Sequence, residues 1–322
     1  MVSLSNHGVE HPVLKLIIER ALSRSQPGQR RDECKLGLVI EGGAMRGVVS
    51  AGMVAGLESL GLKRVFDVVY GASAGAFNGA YFLAGQAALG TTIYYENLNS
   101  KNFINFWRLF QGKPVVNLAY VMEKVLGEEK PLHWESVLKS PIPLKIVVSS
   151  LKLLKPLLLS GFQNKEELFR ALYATAKMPL LTGGPMEIEG DRFLDAGLFQ
   201  GIPVWAALED GCTHILILLT RPKGKRKKKT SIWDKYLFAR LINRWRKGLG
   251  DCYLHMPDAY NECLSFIHQR EKEQERGPFL VSLSLPADYP PLSRVEKNAE
   301  LLRRAAAESQ NLVCRILRNR VN

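Results

Sequence analysis

The stretch VFDVVYGASAGAFNGAYFLAG, residues 65–85, joins an apolar run to a helical pattern through a turn that holds Ser73 between two glycines. The apolar run predicts a buried strand, and the small residues after the turn predict a helix over 74–85. Upstream, KLGLVIEGG predicts another buried strand and RGVVSAGMVAGLESLG another helix. Strand, glycine turn and helix, repeated in this order, indicate parallel strands with crossover helices.

The rest of the chain extends this pattern to an α/β fold of three layers, α/β/α, around a largely parallel central sheet. Further strands are predicted at LKIVVSS, LLLSGF, HILILLT and FLVSLSLP and twice within 186–194, and a long helix closes the chain from about 293 to 319. We expect three regions. They are an N-terminal helix and linker over 1–35, a catalytic domain over 36–220, and a basic loop with a mostly helical C-terminal part over 221–322.

Composition indicates a globular protein, because 46% of the residues are hydrophobic and 23% are charged. The net charge of +13 is concentrated: residues 221–247 hold twelve Lys or Arg and one acid, Asp234. A single basic patch of this kind favours an anionic surface over general nucleic-acid binding. Five cysteines without metal-ligand spacing, and no long apolar run, predict a cytoplasmic protein with free thiols and no metal.

Gly71, Ser73 and Gly75 form the pattern G-x-S-x-G. Glycines two residues before and two after the serine allow a sharp strand-to-helix turn, on which the hydroxyl projects as a nucleophile. The free N–H groups that begin the following helix favour negative charge beside it. The same residues are also compatible with a tight turn that has no chemical role, because the pattern by itself is common.

The loop EGGAMRG, residues 41–47, precedes the first of the two helices described above. Consecutive glycine amides at a helix N-terminus can stabilise an oxyanion, although such a loop can also be a packing turn. A dinucleotide fingerprint would need glycine where Ala44 stands and an acid at the end of the next strand, and the sequence has neither. The loop therefore favours oxyanion stabilisation over nucleotide binding.

A serine nucleophile needs a base, and the chain offers two kinds. Asp195 of FLDAG ends a short predicted strand and is followed by small residues, although an aspartate there is also common in turns. The alternative is a histidine, and His255 and His268 in the predicted helical part are the candidates for it. The six histidines stand at positions 7, 11, 133, 214, 255 and 268.

Together GGAMRG, GASAG and DAG, in this order at strand ends, resemble the patatin-like phospholipase family over about residues 36–206. The resemblance implies a lipid acyl hydrolase with a Ser–Asp dyad and an acyl-serine intermediate, and with no cofactor. Carried over by position, Ser73 is the nucleophile and Asp195 the proton acceptor. The oxyanion hole falls on Gly42, Gly43, Ala44, Arg46 and Gly47, and the elbow glycines are Gly71 and Gly75.

Four positions depart from the pattern of that family. Ala44 and Ala196 stand where the family usually has glycine, Lys177 where it usually has a small residue, and Gly201 where asparagine is often found. None of the four replaces the nucleophile or the acid. The resemblance therefore still implies an active enzyme, with efficiency and substrate preference open to change at these positions.

The segment FINFWRLF places Phe103, Phe106, Trp107 and Phe110 at helical spacing. Such a stripe is typical of a core helix. It would also suit a lid or an acyl-chain wall above a serine that acts on lipid.

The segment SIWDKYLFARLINRWRK follows the basic run KGKRKKK and repeats Trp233, Leu237, Leu241 and Trp245 every fourth residue. A basic amphipathic helix with tryptophans suits an anionic membrane surface. The alternatives are a helix docked on the catalytic unit beside a solvated basic loop, and a nuclear-localisation or RNA-binding segment.

The leading hypothesis is a lipid acyl hydrolase that acts on phospholipid, lysophospholipid or neutral lipid and associates peripherally with a membrane. One alternative is a Ser-His-Asp esterase that uses a later histidine. The other is a non-catalytic module that keeps the architecture and binds lipid or a partner.

Overall fold

An eight-stranded mixed sheet forms the centre of the chain. The computed structural model describes residues 11–231 and 233–321. Its strands are β1 (Leu36–Ile40), β2 (Val68–Ala72), β3 (Leu144–Ser150), β4 (Lys155–Leu159), β5 (Met186–Ile188), β6 (Asp191–Leu194), β7 (His214–Leu218) and β8 (Phe279–Leu283). Every residue of β1, β2 and β7 is buried. These strands are covered on both faces, which is why each reads as a continuous apolar run.

The strand order is β5-β6-β3-β2-β1-β7-β8, and β4 also pairs with β3. The pairs from β3 through β2, β1 and β7 to β8 are all parallel. The pairs that involve β4, β5 and β6 are antiparallel. The largely parallel sheet is therefore confirmed, and the strand at Phe279–Leu283 extends that same sheet.

Helices cover both faces of the sheet and complete the three predicted layers. They are α1 (Pro12–Leu22), α2 (Gly47–Ser59), α3 (Ala74–Leu83), α4 (Ala87–Glu96), α5 (Trp134–Leu138), α6 (Lys165–Thr175), α7 (Val204–Glu209), α8 (Ala239–Asn243), α9 (Leu249–Arg270) and α10 (Ala299–Val321). Alternate strand residues face opposite layers. Leu38 packs in the core that contains α1, α2, α3, α4 and α10, and Val39 in the core that contains α7 and α9.

The second strand begins later than the sequence predicts. Residues 62–65 form a 3-10 turn, and β2 starts at Val68. Asp67, inside the predicted strand, accepts a hydrogen bond from the N–H of Leu36 at 2.7 Å and pairs with Arg20 and Arg30, both at 2.7 Å. The carboxylate therefore sets the edge of β2 by holding α1 and the linker against the sheet.

The segment 233–247 is helical over a shorter range than its period predicts. A π-helical stretch over Asp234–Phe238 continues directly into α8, which ends at Asn243, and Gly248 with φ +88 precedes α9. Trp233 and Leu237 are exposed, whereas Ile242 is completely buried. Part of the segment is therefore docked on the catalytic unit, which is one of the alternatives considered above.

Candidate active site

Ser73 lies between β2 and α3 with φ +52 and ψ −128, a backbone conformation that residues other than glycine rarely adopt. The flanking glycines are required sterically. A Cβ on Gly71 would lie 2.3 Å from the Cα of Ala76, and one on Gly75 would lie 2.2 Å from the carbonyl oxygen of Ile40. The turn therefore has the construction that the G-x-S-x-G pattern predicts.

Thr175, the last residue of α6, holds this turn in place. Its Oγ1 accepts a hydrogen bond from the N–H of Ser73 at 2.9 Å and donates one to the carbonyl of Val147 at 2.6 Å. All three groups are buried. Sequence reasoning missed this residue, since a threonine at the end of a helix carries no signal of such a contact.

Asp195 follows β6 and is fixed on three sides. Its N–H donates to the carbonyl of Lys177 at 2.9 Å, its carbonyl accepts from the hydroxyl of Ser149 at 2.9 Å, and its Oδ1 accepts from the N–H of Gly197 at 2.7 Å. The other carboxylate oxygen, Oδ2, is buried and has no hydrogen-bond partner among the described residues. Oδ1 therefore orients the side chain, whereas Oδ2 is available to accept a hydrogen bond or a proton.

A cavity of about 280 Å³ contains both Ser73 and Asp195, which are 8% and 7% exposed. Burial raises the pKa of Asp195 above its usual value, and the nearby Ser73 hydroxyl and the N–H of Gly197 act in the opposite direction. A carboxylate with a raised pKa accepts a proton from a hydroxyl more readily than an ordinary aspartate.

The glycine loop after β1 lies directly against the serine turn. A Cβ on Gly42 would lie 2.3 Å from the carbonyl oxygen of Ala72 and 2.8 Å from the Cβ of Ser73. The amides of Gly42, Gly43 and Ala44 donate to no backbone carbonyl or side chain within the described ranges. These N–H groups are therefore available as donors in a loop that contacts the serine turn. Gly47, at the start of α2, packs against Tyr94 and Ala74 and opens the helix.

The four departures from the family pattern fit the site without blocking it. Ala44 has φ +52, a left-handed conformation that glycine adopts more easily. Ala196 is fully buried, and Gly201 lines the cavity. The ammonium of Lys177 lies over the ring of Tyr173, 4.9 Å from its centroid.

Ser73 also lines a second, apolar cavity of about 70 Å³. It shares Ala44 and Met178 with the first cavity. Its walls come mainly from α3, α4 and the segment 98–126, and they include Phe77, Tyr81, Ile93, Tyr94, Leu98 and Phe103. An apolar space beside a hydroxyl suits a hydrocarbon chain.

The aromatic stripe of FINFWRLF divides between two environments. Phe103 is buried and lines the apolar cavity, as an acyl-chain wall would. Phe106, Trp107 and Phe110 belong to an exposed 3-10 helix, with Trp107 75% and Phe110 83% exposed. The expectation of a core helix is therefore wrong for these three residues, because the segment turns outward after Asn105.

The larger cavity also carries charge that sequence reasoning assigned elsewhere. Lys227, which the sequence places in the basic surface segment, is half-buried in the cavity wall. Its N–H donates to Oδ1 of Asn261 at 2.8 Å and its carbonyl accepts from Nδ2 of Asn261 at 3.0 Å, so that α9 holds the loop inward. Arg46 and Arg294 line the same cavity.

The histidines do not share this site. Neither cavity at Ser73 is lined by His11, His133, His214, His255 or His268, and His7 lies outside the described residues. His255 is exposed and contacts the carbonyl of Asp251.

In the described part of the chain, no group of three His, Cys, Asp or Glu side chains could hold a metal ion. Within residues 11–231 and 233–321, no helix combines the length and apolar character needed to cross a bilayer.

Comparison with known proteins finds a family, one relative by sequence and one solved structure of limited likeness. A family model for patatin-like phospholipase matches residues 38–208. The uncharacterized protein YjjU of Escherichia coli (strain K12) is 22% identical over 253 residues, which are 76% of this chain and 66% of YjjU. The chain therefore spans just under two thirds of that relative's length.

Among solved structures, VipD from Legionella pneumophila is similar with a TM-score of 0.42 and 12% sequence identity, over 89% of this chain and 67% of VipD. A likeness at that level carries no functional information. The family match is the stronger finding: it covers more than half of the 322 residues and includes all three motifs. The chain belongs to the patatin-like phospholipase family, a family of lipid acyl hydrolases.

Proposed function

We propose that this protein hydrolyses a carboxylic ester of an acyl lipid, with Ser73 as nucleophile and Asp195 as general base. One observation carries the proposal. The free Oδ2 of Asp195 and the hydroxyl of Ser73 lie in the same cavity, and no described histidine lies there. A dyad therefore accounts for the residues present better than a Ser-His-Asp triad does.

The acylation step uses groups that the fold already orients. Asp195 accepts the hydroxyl proton as Ser73 Oγ attacks the ester carbonyl carbon. The tetrahedral intermediate then collapses, its carbon–oxygen bond to the alcohol breaks, and Asp195 returns the proton to the departing alkoxide. The products of this step are the free alcohol and an acyl-serine.

Deacylation repeats these steps with water as the nucleophile. Asp195 removes a proton from a water molecule, which attacks the acyl carbon, and the proton returns to Ser73 Oγ as the fatty acid leaves. In both steps, the negative oxygen of the intermediate needs donors that are already in position. The amides of Gly42, Gly43 and Ala44 can supply them, and loss of a single such donor typically costs a hundredfold or more in kcat, as an order of magnitude.

A lipid substrate is supported by the two cavities that meet at Ser73. The apolar cavity would hold the acyl chain, and the charged cavity would hold the alcohol side of the ester. Of the subtypes considered, a phospholipase A or lysophospholipase activity fits this division, since its substrate has one apolar and one polar end.

The test combines labelling with turnover. A fluorophosphonate probe should label Ser73 in the folded protein, and the wild type should release fatty acid from a phospholipid or lysophospholipid. Ser73→Ala and Asp195→Asn should each lower release by about a thousandfold or more. Ser136→Ala and Asp288→Asn, which change exposed residues of the same types, are the matched controls and should keep wild-type turnover.

Two outcomes would decide against the dyad. If Asp195→Asn keeps most of its activity and His255→Ala or His268→Ala is inactive, the base is that histidine and the Ser-His-Asp alternative holds. A folded protein that neither reacts with the probe nor releases fatty acid would be a binding module.

We also propose that exposed aromatics beside the cavity dock the enzyme on an anionic membrane. The 3-10 helix with Trp107 and Phe110 leads into Val116, whose N–H bonds the carbonyl of the cavity residue Leu181 at 2.9 Å. Trp233 follows the exposed basic loop. Trp and Phe at such positions insert at the lipid interface, and lysines add attraction to acidic lipids.

Vesicle sedimentation tests this docking. The protein should sediment with vesicles that contain acidic lipid, and salt should weaken the binding. The Trp107→Ser, Phe110→Ser double variant should bind about tenfold more weakly, whereas Leu22→Ser, at an exposed leucine of α1, should not change binding. Vesicle binding that is weakened neither by salt nor by the double substitution would contradict the proposal.

A further inference from the structure

A buried threonine contacts the glycine loop from behind. Thr220 follows β7 and is 2% exposed, and its Oγ1 donates a hydrogen bond to the carbonyl oxygen of Gly42 at 3.0 Å. Gly42 and Gly43 line the cavity that contains Ser73, whereas Thr220 is not among its lining residues. The hydroxyl therefore meets the loop on the side that faces away from the cavity.

This hydrogen bond fixes the direction of an amide. The peptide unit between Gly42 and Gly43 is planar and trans, so its C=O and N–H point in opposite directions. Because the carbonyl of Gly42 is turned toward Thr220, the N–H of Gly43 points away from Thr220 and toward the cavity. Rotation of this peptide unit would withdraw the N–H from an oxyanion and present a carbonyl oxygen in its place.

A buried carboxylate keeps Thr220 in this position. The N–H of Thr220 donates to Oε2 of Glu41 at 2.5 Å, and the hydroxyl of Tyr260 in α9 donates to Oε1 of Glu41 at 2.8 Å. Both carboxylate oxygens are thereby occupied. Burial and the charge of Glu41 raise the pKa of Tyr260 well above its usual value, so its hydroxyl is protonated and remains a donor at about pH 7.

The ring of Tyr260 is itself packed against two cations. The guanidinium of Arg221 lies 5.5 Å from the ring centroid, and the ammonium of Lys227 lies 4.2 Å from it. Thr220 and Tyr260 both lie beyond residues 38–208, the range that the family model matches. The match by itself therefore assigns these two side chains no role.

We propose that Thr220 is a positioning residue for the reaction: its hydroxyl turns the N–H of Gly43 toward the oxyanion, while Glu41 and Tyr260 keep Thr220 in place. As a statement about the rate it rests on the hydrolase function proposed above. As a statement about the conformation of the glycine loop it stands independently. Loss of the hydroxyl should slow the chemical step and leave ester binding nearly unchanged.

Ester turnover and fluorophosphonate labelling measure the effect on rate. Thr220→Val should lower kcat and the labelling rate by at least about tenfold and keep KM within about twofold of the wild-type value, because an oxyanion donor acts on the transition state. Thr220→Ser keeps the hydroxyl and should recover both rates to within about threefold of wild type. This rescue separates the hydrogen bond from the packing of the side chain.

The matched control is a second buried threonine, Thr91 of α4. Its hydroxyl also donates to a backbone carbonyl, that of Ala87 at 2.8 Å, and it lines neither cavity at Ser73. Thr91→Val therefore removes a comparable hydrogen bond away from the glycine loop. It should keep wild-type kcat and labelling.

A double-mutant cycle tests the connection through Glu41. Tyr260→Phe removes the hydroxyl that holds this carboxylate and should lower kcat by about threefold or more. The variant that combines Thr220→Val with Tyr260→Phe should be slower than Thr220→Val by no more than about twofold, because Tyr260 acts through Thr220. Fully additive losses would contradict the connection. Tyr95→Phe, at a half-buried tyrosine of α4 that lines neither cavity, should have no effect.

Hydrogen exchange tests the loop without turnover. The N–H groups of Glu41, Met45 and Arg46 donate to backbone carbonyls at 3.0, 3.2 and 3.2 Å, so their exchange reports opening of the loop. Exchange in the peptide 41–47 should be at least about tenfold faster in Thr220→Val than in the wild type, the serine variant and the control. If the wild type is inert toward probe and lipid but shows this response, the hydrolase proposal fails and the role of Thr220 in the loop stands.

Two results would overturn the role of Thr220. One is an active wild type whose kcat and labelling rate are unchanged in Thr220→Val. The other is exchange in the peptide 41–47 that is unchanged by Thr220→Val, or that rises equally in Thr91→Val, because the hydroxyl would then contribute only to general stability.

Discussion

The N–H of Ser73 donates a hydrogen bond to Oγ1 of Thr175 at 2.9 Å, so the proposed nucleophile is held by a helix that lies far away in the chain. The hydroxyl of Thr175 in turn donates a hydrogen bond to the carbonyl of Val147 in β3, the strand that pairs with β2. The serine turn is thereby held by α6 and β3 as well as by the close packing that its own glycines allow. A residue with φ +52 keeps that conformation only where its surroundings impose it, and this bond is one of the constraints.

Thr175→Val should impair both catalysis and stability. Valine has nearly the same shape but leaves the N–H of Ser73 and the carbonyl of Val147 buried without a partner. We expect kcat to fall about tenfold and the free energy of unfolding to fall by about 2 kcal/mol. Ester turnover and urea unfolding measure the two effects. Thr175→Ser keeps the hydroxyl and should recover most of both, and an unchanged kcat in Thr175→Val would show that the bond does not position the nucleophile.

The pH dependence of turnover should report Asp195. A general base must be deprotonated, so activity should fall as the pH falls through the pKa of this group. Because burial raises that pKa, the acid limb of kcat/KM should lie above the usual aspartate value of 3.8. His255→Ala and His268→Ala should leave the limb in place. A limb that disappears in either histidine variant would assign the base to that histidine.

Asp195→Asn should stabilise the fold while it removes activity. A raised folded-state pKa means that the folded protein holds this proton more tightly than the unfolded chain, so stability falls as the pH rises through the folded pKa. At about pH 7 the buried carboxylate is therefore destabilising, and asparagine removes its charge. Urea unfolding should show a larger free energy for the variant near neutral pH, and the difference should shrink in acid. A variant less stable than the wild type at neutral pH would contradict this account.

Gly42→Ala should disrupt the contact between the glycine loop and the serine turn. The new Cβ would meet the carbonyl oxygen of Ala72 at 2.3 Å, so one backbone segment must move. A shift of about 1 Å in a catalytic loop commonly costs about a hundredfold in rate. Gly127→Ala is the matched control, because no atom lies within 4 Å of its added Cβ. Fatty-acid release should fall only in Gly42→Ala, and equal activity in both variants would place the loop outside the reaction.

Much of the fold follows from residues that are close together in the chain. Continuous apolar runs such as Leu36–Ile40 and His214–Leu218 became buried parallel strands, and the predicted turn at Ser73 lies directly between β2 and α3. The errors occurred where a side chain made a distant contact. Asp67 pairs with α1 and the linker, and β2 begins after it. The helix predicted to run through Trp245 ends at Asn243, and Ile242 near its end is buried in a core.

The candidate site divides in the same way. Ser73, Asp195 and the glycine loop are visible in the sequence because local turn geometry demands particular residues around them. Thr175, Lys227 and Arg294 are not visible, since each acts through a contact with a distant part of the chain.

By itself the sequence determined the strands, their glycine turns and which serine and aspartate to propose as nucleophile and base, since backbone conformation and burial pattern depend on neighbouring residues. Only the tertiary structure decided that Asp195 lies in the same cavity as Ser73, and that three cations from beyond β7 lie there with Arg46. The physical reason is the order of strands. β6 pairs with β3 and β3 with β2, and this pairing, which no local pattern encodes, brings the two motifs to one site.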